Sequence, residues 1–272
     1  MQLELPAEAG FSVTLSGTES DADATVATIT LNRPERLNSQ LPVMWEWLVK
    51  VSRDLPATVR VVVLRAEGRA FSAGLDRSMF SPTGVNSAGG LLTMAAATAE
   101  EASATIAGYQ SAFGWLSRPD IVSIAIVQGH AIGAGFQIAL ACDLRIVVTD
   151  AQFTMAEPTL GLVPDLGGTK RLVELVGYSK AAEICLTGRR VGAVESERIG
   201  LASTLVQPEE VESALAQTVQ ALLAVNRDAA IETKALLLGA GDRTQTEQEI
   251  AEREAQYRRI RELASLLAEH GG

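Results

Sequence analysis

Residues 121–142, IVSIAIVQGHAIGAGFQIALAC, are apolar on average, yet Gln128, Gly129, His130, Gly133, Gly135 and Gln137 interrupt them. A membrane span has no water to satisfy that many polar and helix-weakening groups, so the stretch reads as a buried strand, a glycine-rich turn and a helix.

Composition agrees with a single packed body. At 272 residues, 47% hydrophobic and 21% charged, the chain suffices for one large globular domain, or for one domain with a helical appendage. A net charge of −10 disfavours phosphate backbones and anionic headgroups, both of which need a basic face, so neither nucleic acid nor a membrane is expected as a partner. Cys142 and Cys185 lie far apart in apolar helical patterns without CxxC spacing, and read as reduced core thiols of a cytoplasmic protein. The start, MQLELPAEAG, has no basic segment followed by an apolar run, so no export signal is expected.

Residues 26–31, 59–65 and 121–127 are rich in β-branched side chains and predict buried strands, with residues 41–55, which carry Trp45, Trp47 and Leu48, as a helix packed on them. Strands at 144–148 and 152–154 extend the alternation, which implies right-handed crossovers. Residues 81–90 have a loop composition and 95–115 an Ala-rich helical one. Six helices are predicted from there on, over 169–176, 179–186, 194–199, 208–224, 227–238 and 244–269. The last presents Ile250, Tyr257, Ile260, Leu263 and Leu267 on one face, which needs a partner.

The pattern GHAIGAGFQIALACD lets a backbone approach a ligand closely and aims the free N–H groups of a helix starting near Ala134 at an anion. By itself a Gly-x-Gly after a strand is only a tight turn, and Gln137 and Ile138 exclude the G-x-G-x-x-G of a dinucleotide fold. Together with RAFSAGLD at 69–76 and TLNRPERLN at 30–38, however, residues 129–172 resemble the crotonase superfamily, the enoyl-CoA hydratases and isomerases, over nearly the whole chain. The resemblance implies an α/β fold, a crotonase-like spiral of repeated ββα units over residues 1–205 that holds an acyl-CoA site. It also implies a C-terminal helical oligomerisation region over 206–272 that builds trimers, commonly paired into hexamers. No strict repeat is visible, so the spiral rests on the resemblance. The main-chain N–H groups of Leu75 and Ala134 are then the oxyanion donors for a thioester enolate, and the loop and helix of residues 79–115 form the wall of the acyl pocket.

Hydratases of this superfamily carry two glutamates, at places that read Gln137 and Glu157 here. An amide orients water but takes no proton from it at neutral pH, so the exchange argues against efficient hydration. It leaves one-base chemistry intact, and Δ3-Δ2 isomerases that resemble this chain keep the glutamate aligned with Glu157 alone. Gln137 has an alternative role as a hydrogen-bonded core residue, and Glu157 as a surface carboxylate before a proline turn. Asp165, eight residues after Glu157, falls where dienoyl-CoA isomerases, the ring-epoxide phenylacetyl-CoA isomerase and 4-chlorobenzoyl-CoA dehalogenase place a catalytic aspartate. It is equally a natural N-cap for the helix that follows, and the two roles are compatible.

By the same resemblance Arg36, Leu37, Ala73, Gly74, Asp76 and Arg77 line the coenzyme A site, with Arg77 a candidate phosphate contact because Ser78 stands where hydratases often have a basic residue. Lys234 is either a further contact or a solvated helix lysine. His130 and His270 read as structural, Ser72 lacks the companions of a serine nucleophile, and no Cys/His/Asp cluster has metal spacing. A coenzyme A thioester is therefore expected as substrate, with no cofactor. Three functions stay open: an enoyl-CoA isomerase of the Δ3-Δ2 or dienoyl type, an enoyl-CoA hydratase, and a non-catalytic acyl-CoA-binding protein.

Overall fold

The computed structural model describes residues 2–17, 24–80 and 90–270. Its strands are β1 (Gln2–Leu3), β2 (Phe11–Gly17), β3 (Ala24–Leu31), β4 (Val61–Ala66), β5 (Val122–Val127), β6 (His130–Ile132), β7 (Leu144–Val148), β8 (Gln152–Thr154), β9 (Val191–Gly192) and β10 (Thr204–Val206). Seven of them form one sheet in the order β1-β2-β3-β4-β5-β7-β10, parallel from β3 onward and antiparallel at the β1-β2-β3 edge. The other three form a small sheet in the order β6-β8-β9. The helices are α1 (Pro42–Asp54), α2 (Leu91–Ala96), α3 (Ala99–Gly114), α4 (Ala134–Ala141), α5 (Gly168–Val176), α6 (Tyr178–Thr187), α7 (Ala193–Arg198), α8 (Val211–Ala224), α9 (Arg227–Gly239) and α10 (Gln245–His270).

The central strands are covered on both faces, which is why they read as unbroken apolar runs. Val62, Leu64, Ala125, Val127 and Val147 join the larger core with Trp45, Leu48 and Phe113. Val61, Val63, Ile124, Ile126, Ile146 and Val148 turn the other way, where Val211, Leu215, Val219 and Leu222 of α8 cover them. Parallel pairing brings the ends of β4 and β5 together, and the glycine-rich turn leaves the sheet from the end of β5.

The predicted helix over 95–115 is instead two. Thr98 accepts from the Glu101 N–H while the Glu101 carboxylate takes the Thr98 N–H, a capping box that starts α3 and separates it from α2. The helix predicted from 208 opens with a 3-10 turn, Pro208–Glu210, before α8. Of the predicted 81–90 loop, residues 81–89 lie outside the described residues. The apolar stripe of α10 is exposed in the single chain at Ile250, Tyr257, Ile260, Leu263 and Leu267.

Candidate active site

Four strips of backbone are laced together at the end of the sheet. The Ala73 N–H donates to the Leu37 carbonyl (2.8 Å), Gln40 N–H to Gly74 (2.7 Å) and Asp76 N–H to Gln40 (2.9 Å). On the other side Ser72 N–H donates to His130 (2.9 Å), Ile132 N–H to Ser72 (2.9 Å), and Gly133 N–H to Thr154 (2.8 Å). Within this lacing the N–H groups of Leu75 and Ala134 donate to no group among the described residues, and both residues line the same cavity. Ala134 is the first residue of α4, so its amide is one of the orphan donors at the positive end of the helix. Gly74, at φ 83°, makes the approach possible: a Cβ there would collide with the Ile132 carbonyl and come within 3.5 Å of the Ala134 nitrogen. The two predicted oxyanion donors are thus brought together.

Glu157 opens the 3-10 turn Glu157–Leu160 after β8, and its carboxylate packs on the glycine turn, where a Cβ on Gly133 would lie 3.2 Å from Oε1. Oε1 accepts the Gln137 side-chain amide at 2.7 Å, whereas Oε2 is buried without a hydrogen-bond partner among the described residues. Burial pushes the Glu157 pKa above the ordinary glutamate value, opposed by that hydrogen bond and aided by the charge of Asp165. Glu157 is therefore a cavity carboxylate, not a surface one.

Asp165 lines the same cavity, and burial raises its pKa as well. It does not cap α5, whose N-cap is Gly167 at φ 87°, without a side-chain cap. The Asp165 carbonyl instead accepts the Gln110 side chain of α3 at 2.7 Å, which ties this loop to the cavity wall.

Gln137 is 1% exposed and absent from the cavity lining. Its Oε1 accepts the N–H groups of Leu166 (2.9 Å) and Gly168 (3.3 Å), and its Nε2 donates to Glu157. It therefore stands behind Glu157 as a hydrogen-bonded core residue.

The cavity has a volume of about 340 Å³. Among the described residues its walls are apolar or backbone apart from Glu157, Asp165 and Tyr109, with Trp45, Met79, Met94, Ile106 and Leu162 among them. Residues 79–115 thus contribute to the wall, as the resemblance implied, through Met79, Phe80, Leu91, Met94, Ile106 and Tyr109. Trp45 meets Tyr109 edge to face at 4.9 Å, and the Tyr109 phenol is held above its usual pKa by burial and by the charges of Glu46 and Asp165.

The six residues assigned to coenzyme A fall on the strips that frame the cavity. Leu37, Ala73 and Gly74 are part of the lacing, and Ala73 and Gly74 line the cavity itself. Arg36 and Arg77 are exposed cations on the two flanking strips. Asp76 has a different role: its carboxylate accepts from Ser78 N–H (3.0 Å), Ser78 Oγ (2.8 Å), Ser39 Oγ (2.7 Å) and Arg33 (3.2 Å). Burial opposes its ionisation, but those donors outweigh burial and hold the pKa at about 2.

Lys234 is neither a free contact nor a solvated lysine. It is buried, and Nζ donates to the carbonyls of Arg118 (2.7 Å) and Ile121 (2.6 Å) and to Asp143 (2.7 Å), which uses all three protons. Ser72 is fully buried, with its hydroxyl on the Asn38 carbonyl at 2.7 Å. His130 holds its place through strand β6 and its main chain. Cys142 is a buried free thiol pushed up to about 12, and Cys185 is free and half-buried.

Sequence reasoning missed the braces of this site, Asn38 and Gln40. Leu37 and Asn38 adopt the left-handed region (φ 51° and 52°), and the Asn38 amide donates to the carbonyls of Glu67 and Ala70, both at 2.8 Å. Gln40 joins the Trp45 indole to Ser72. An asparagine after a Pro-containing turn was the available signal, because Asn tolerates that backbone region best among residues with side chains.

Fold and site together define a crotonase-like protein. The chain belongs to the enoyl-CoA hydratase/isomerase family, whose sequence model matches residues 21–265. It is 33% identical to a probable enoyl-CoA hydratase of Mycobacterium leprae (strain TN) over 188 residues, 68% of this chain and 67% of that one. It is 30% identical to the peroxisomal Δ(3,5)-Δ(2,4)-dienoyl-CoA isomerase of Arabidopsis thaliana over 228 residues, 83% and 81% of the two chains. Among solved structures, a putative enoyl-CoA hydratase from Thermobifida fusca YX in complex with acetoacetyl-CoA superposes with a TM-score of 0.86 at 46% identity, covering 94% of this chain and 96% of that one.

Proposed function

We propose that the protein is an enoyl-CoA isomerase, which moves a double bond through a thioester dienolate. The observation that carries this reading is the buried, unpartnered Oε2 of Glu157 in a cavity shared with the two free amides of Leu75 and Ala134. An acyl thioester whose oxygen sits between those amides has its acidic carbon in reach of the cavity carboxylates. The C–H bond breaks, its electron pair passes to the thioester oxygen, and the carboxylate takes the proton. The enolate charge then meets preorganised N–H donors, and the proton returns at another carbon of the conjugated system. A raised pKa suits both halves, because the carboxylate must release what it took.

Asp165 extends the reaction range. Moving 3,5-dienoyl to 2,4-dienoyl takes a proton from C2 and returns one at C6, and a carboxylate at each end serves that better than one alone. The resemblance to a dienoyl-CoA isomerase supports this form. Hydration by two glutamates needs a carboxylate at 137, and Gln137 there is a hydrogen-bonded amide held by Leu166, Gly168 and Glu157.

Coenzyme A as carrier is supported by the acetoacetyl-CoA complex of the Thermobifida relative, with the exposed cations Arg36 and Arg77 as the candidates for its phosphates. The exposed stripe of α10 supports a homotrimer or a hexamer, with the C-terminal helices as the assembly region. Two free thiols fit a cytoplasmic protein.

The test is proton NMR in D2O with a short trans-3-enoyl-CoA and, separately, a 3,5-dienoyl-CoA. The expected result is a 2-enoyl or 2,4-dienoyl thioester, with deuterium entering the carbons that exchange protons. Accumulation of 3-hydroxyacyl-CoA would replace the isomerase by a hydratase. Micromolar binding without any turnover would leave an acyl-CoA-binding protein.

A further inference from the structure

The residue that departs from the hydratase pattern has a definite role in the structure. Gln137 Oε1 lies 2.9 Å from the Leu166 nitrogen and 3.3 Å from the Gly168 nitrogen, both backbone donors. An amide oxygen facing two N–H groups leaves the NH2 end for Glu157 Oε1, 2.7 Å away. The reverse orientation would set NH2 against two donors and a carbonyl oxygen against a carboxylate, so chemistry fixes the amide. Glycine at 168 is part of the fit, since a Cβ there would come within 2.8 Å of Gln137 Cγ.

We infer that Gln137 is a positioning residue that dedicates one oxygen of Glu157 to structure and leaves the other, Oε2, as the only proton carrier. The inference rests on the reading of Glu157 as a base. With the Gln137 N–H aimed at Oε1, a proton on that oxygen would make it the poorer acceptor, so the proton is favoured on Oε2, which has no hydrogen-bond partner among the described residues. The same amide anchors the backbone on both sides of Gly167, next to Asp165, so one side chain sets the spacing of both cavity carboxylates. It also supplies the cap that α5 lacks at Gly167. A glutamate at 137 would accept the same two N–H groups but oppose Glu157 with a second charge. Glutamine keeps the bracket without adding a charge beside Glu157.

The other titratable groups facing Glu157 are Asp165, before α5, and Cys185 on α6, and neither donates to Oε1. Burial raises the Glu157 pKa and the Asp165 charge adds to it, while the Gln137 bond opposes both, so removing that bond shifts the titration upward from a background the variants share.

Gln137→Met and Gln137→Glu are compared with the parent by the pH profile of kcat/KM for the isomerisation. Both are expected to move the acid limb to higher pH, the first by loss of a donor to the ionised form, the second by more than about a unit through like-charge repulsion. In Gln137→Met, kcat falls about 10- to 100-fold from misplacement, while KM stays within about two-fold of the parent. In the unmodified protein, where folding of a variant is no concern, the side-chain amide nitrogen resonance of Gln137 shifts with the midpoint of that acid limb. An unmoved limb in whichever variants fold, or an amide resonance insensitive to pH, overturns the positioning role. Failure of the base reading has another signature: turnover then survives in Glu157→Gln.

Discussion

Asp76 and Glu157 are both carboxylates on the backbone lacing, and they have opposite fates. Asp76 receives four hydrogen bonds, including one from Arg33, and is held at a pKa of about 2. Glu157 receives one side-chain hydrogen bond on one oxygen, none on the other, and burial drives its pKa upward. The difference lies in the balance between burial and donors: burial outweighs the donors at Glu157, and the donors outweigh burial at Asp76. A carboxylate saturated with donors is a bracket whose charge never changes. One deprived of them is unstable as an anion and therefore ready to take a proton. Asp76 joins Ser39 and Arg33 to the strip that carries Leu75, so the bracket steadies one of the amides that an enolate on the Glu157 side would use.

The largest expected effect tests the second half of that contrast. Glu157→Gln should lower kcat for isomerisation by about 10²- to 10⁴-fold, the usual contribution of a general base, with KM little changed in steady-state assays. The same variant should be more stable than the parent near neutral pH. The Glu157 pKa is raised on folding, so its stability contribution is complete below the unfolded value and is lost as pH rises through the folded one. Glutamine escapes that loss, so thermal melts should separate the two proteins at neutral pH and converge in acid. A parent as stable as the variant at every pH would mean that burial does not penalise the Glu157 anion.

Asp76→Asn tests the first half and is smaller. Lowering a pKa from 3.8 to about 2 corresponds to about 2 kcal/mol of stability. That contribution is present above the unfolded value and disappears as pH falls through the folded value near 2. Denaturant titrations should therefore show the asparagine variant weaker at neutral pH and the gap closing toward that acid limit. Equal midpoints throughout would make Asp76 a bystander.

What could be read in advance follows the same division between local and distant causes. Strands β4 and β5 were legible because burial on both faces leaves a continuous run of Val and Ile, and β7 and β8 matched their predicted bounds. Strands β6, β9 and β10 were not legible: β6 lies inside the glycine-rich turn, and β9 and β10 are short pieces within a stretch whose composition reads as helical. At the site, the glycines and Glu157 were legible through motifs. The role of Gln137 was not, because two of its partners are backbone N–H groups 29 and 31 residues away, which leave no mark on side-chain identity. Lys234 misled for the same reason: carbonyls more than a hundred residues away hold it, and a helix lysine gives no local sign of that.

Arg36 and Arg77 sharpen the comparison from the other side, as exposed charges whose side chains have no hydrogen-bond partner among the described residues. If they meet the phosphates of coenzyme A, each contact is screened by water and salt and is worth at most about 1 kcal/mol. Arg36→Gln and Arg77→Gln should then raise KM by about two- to five-fold at low ionic strength while kcat holds. The effect should fade in about 1 M salt, where the Debye length shrinks to about 3 Å. A loss of kcat instead would mean that these arginines steady the lacing, in the manner of Arg33, rather than greet the nucleotide. Persistence of the KM change at high salt would point to a desolvated contact, which neither exposed side chain offers in the free protein.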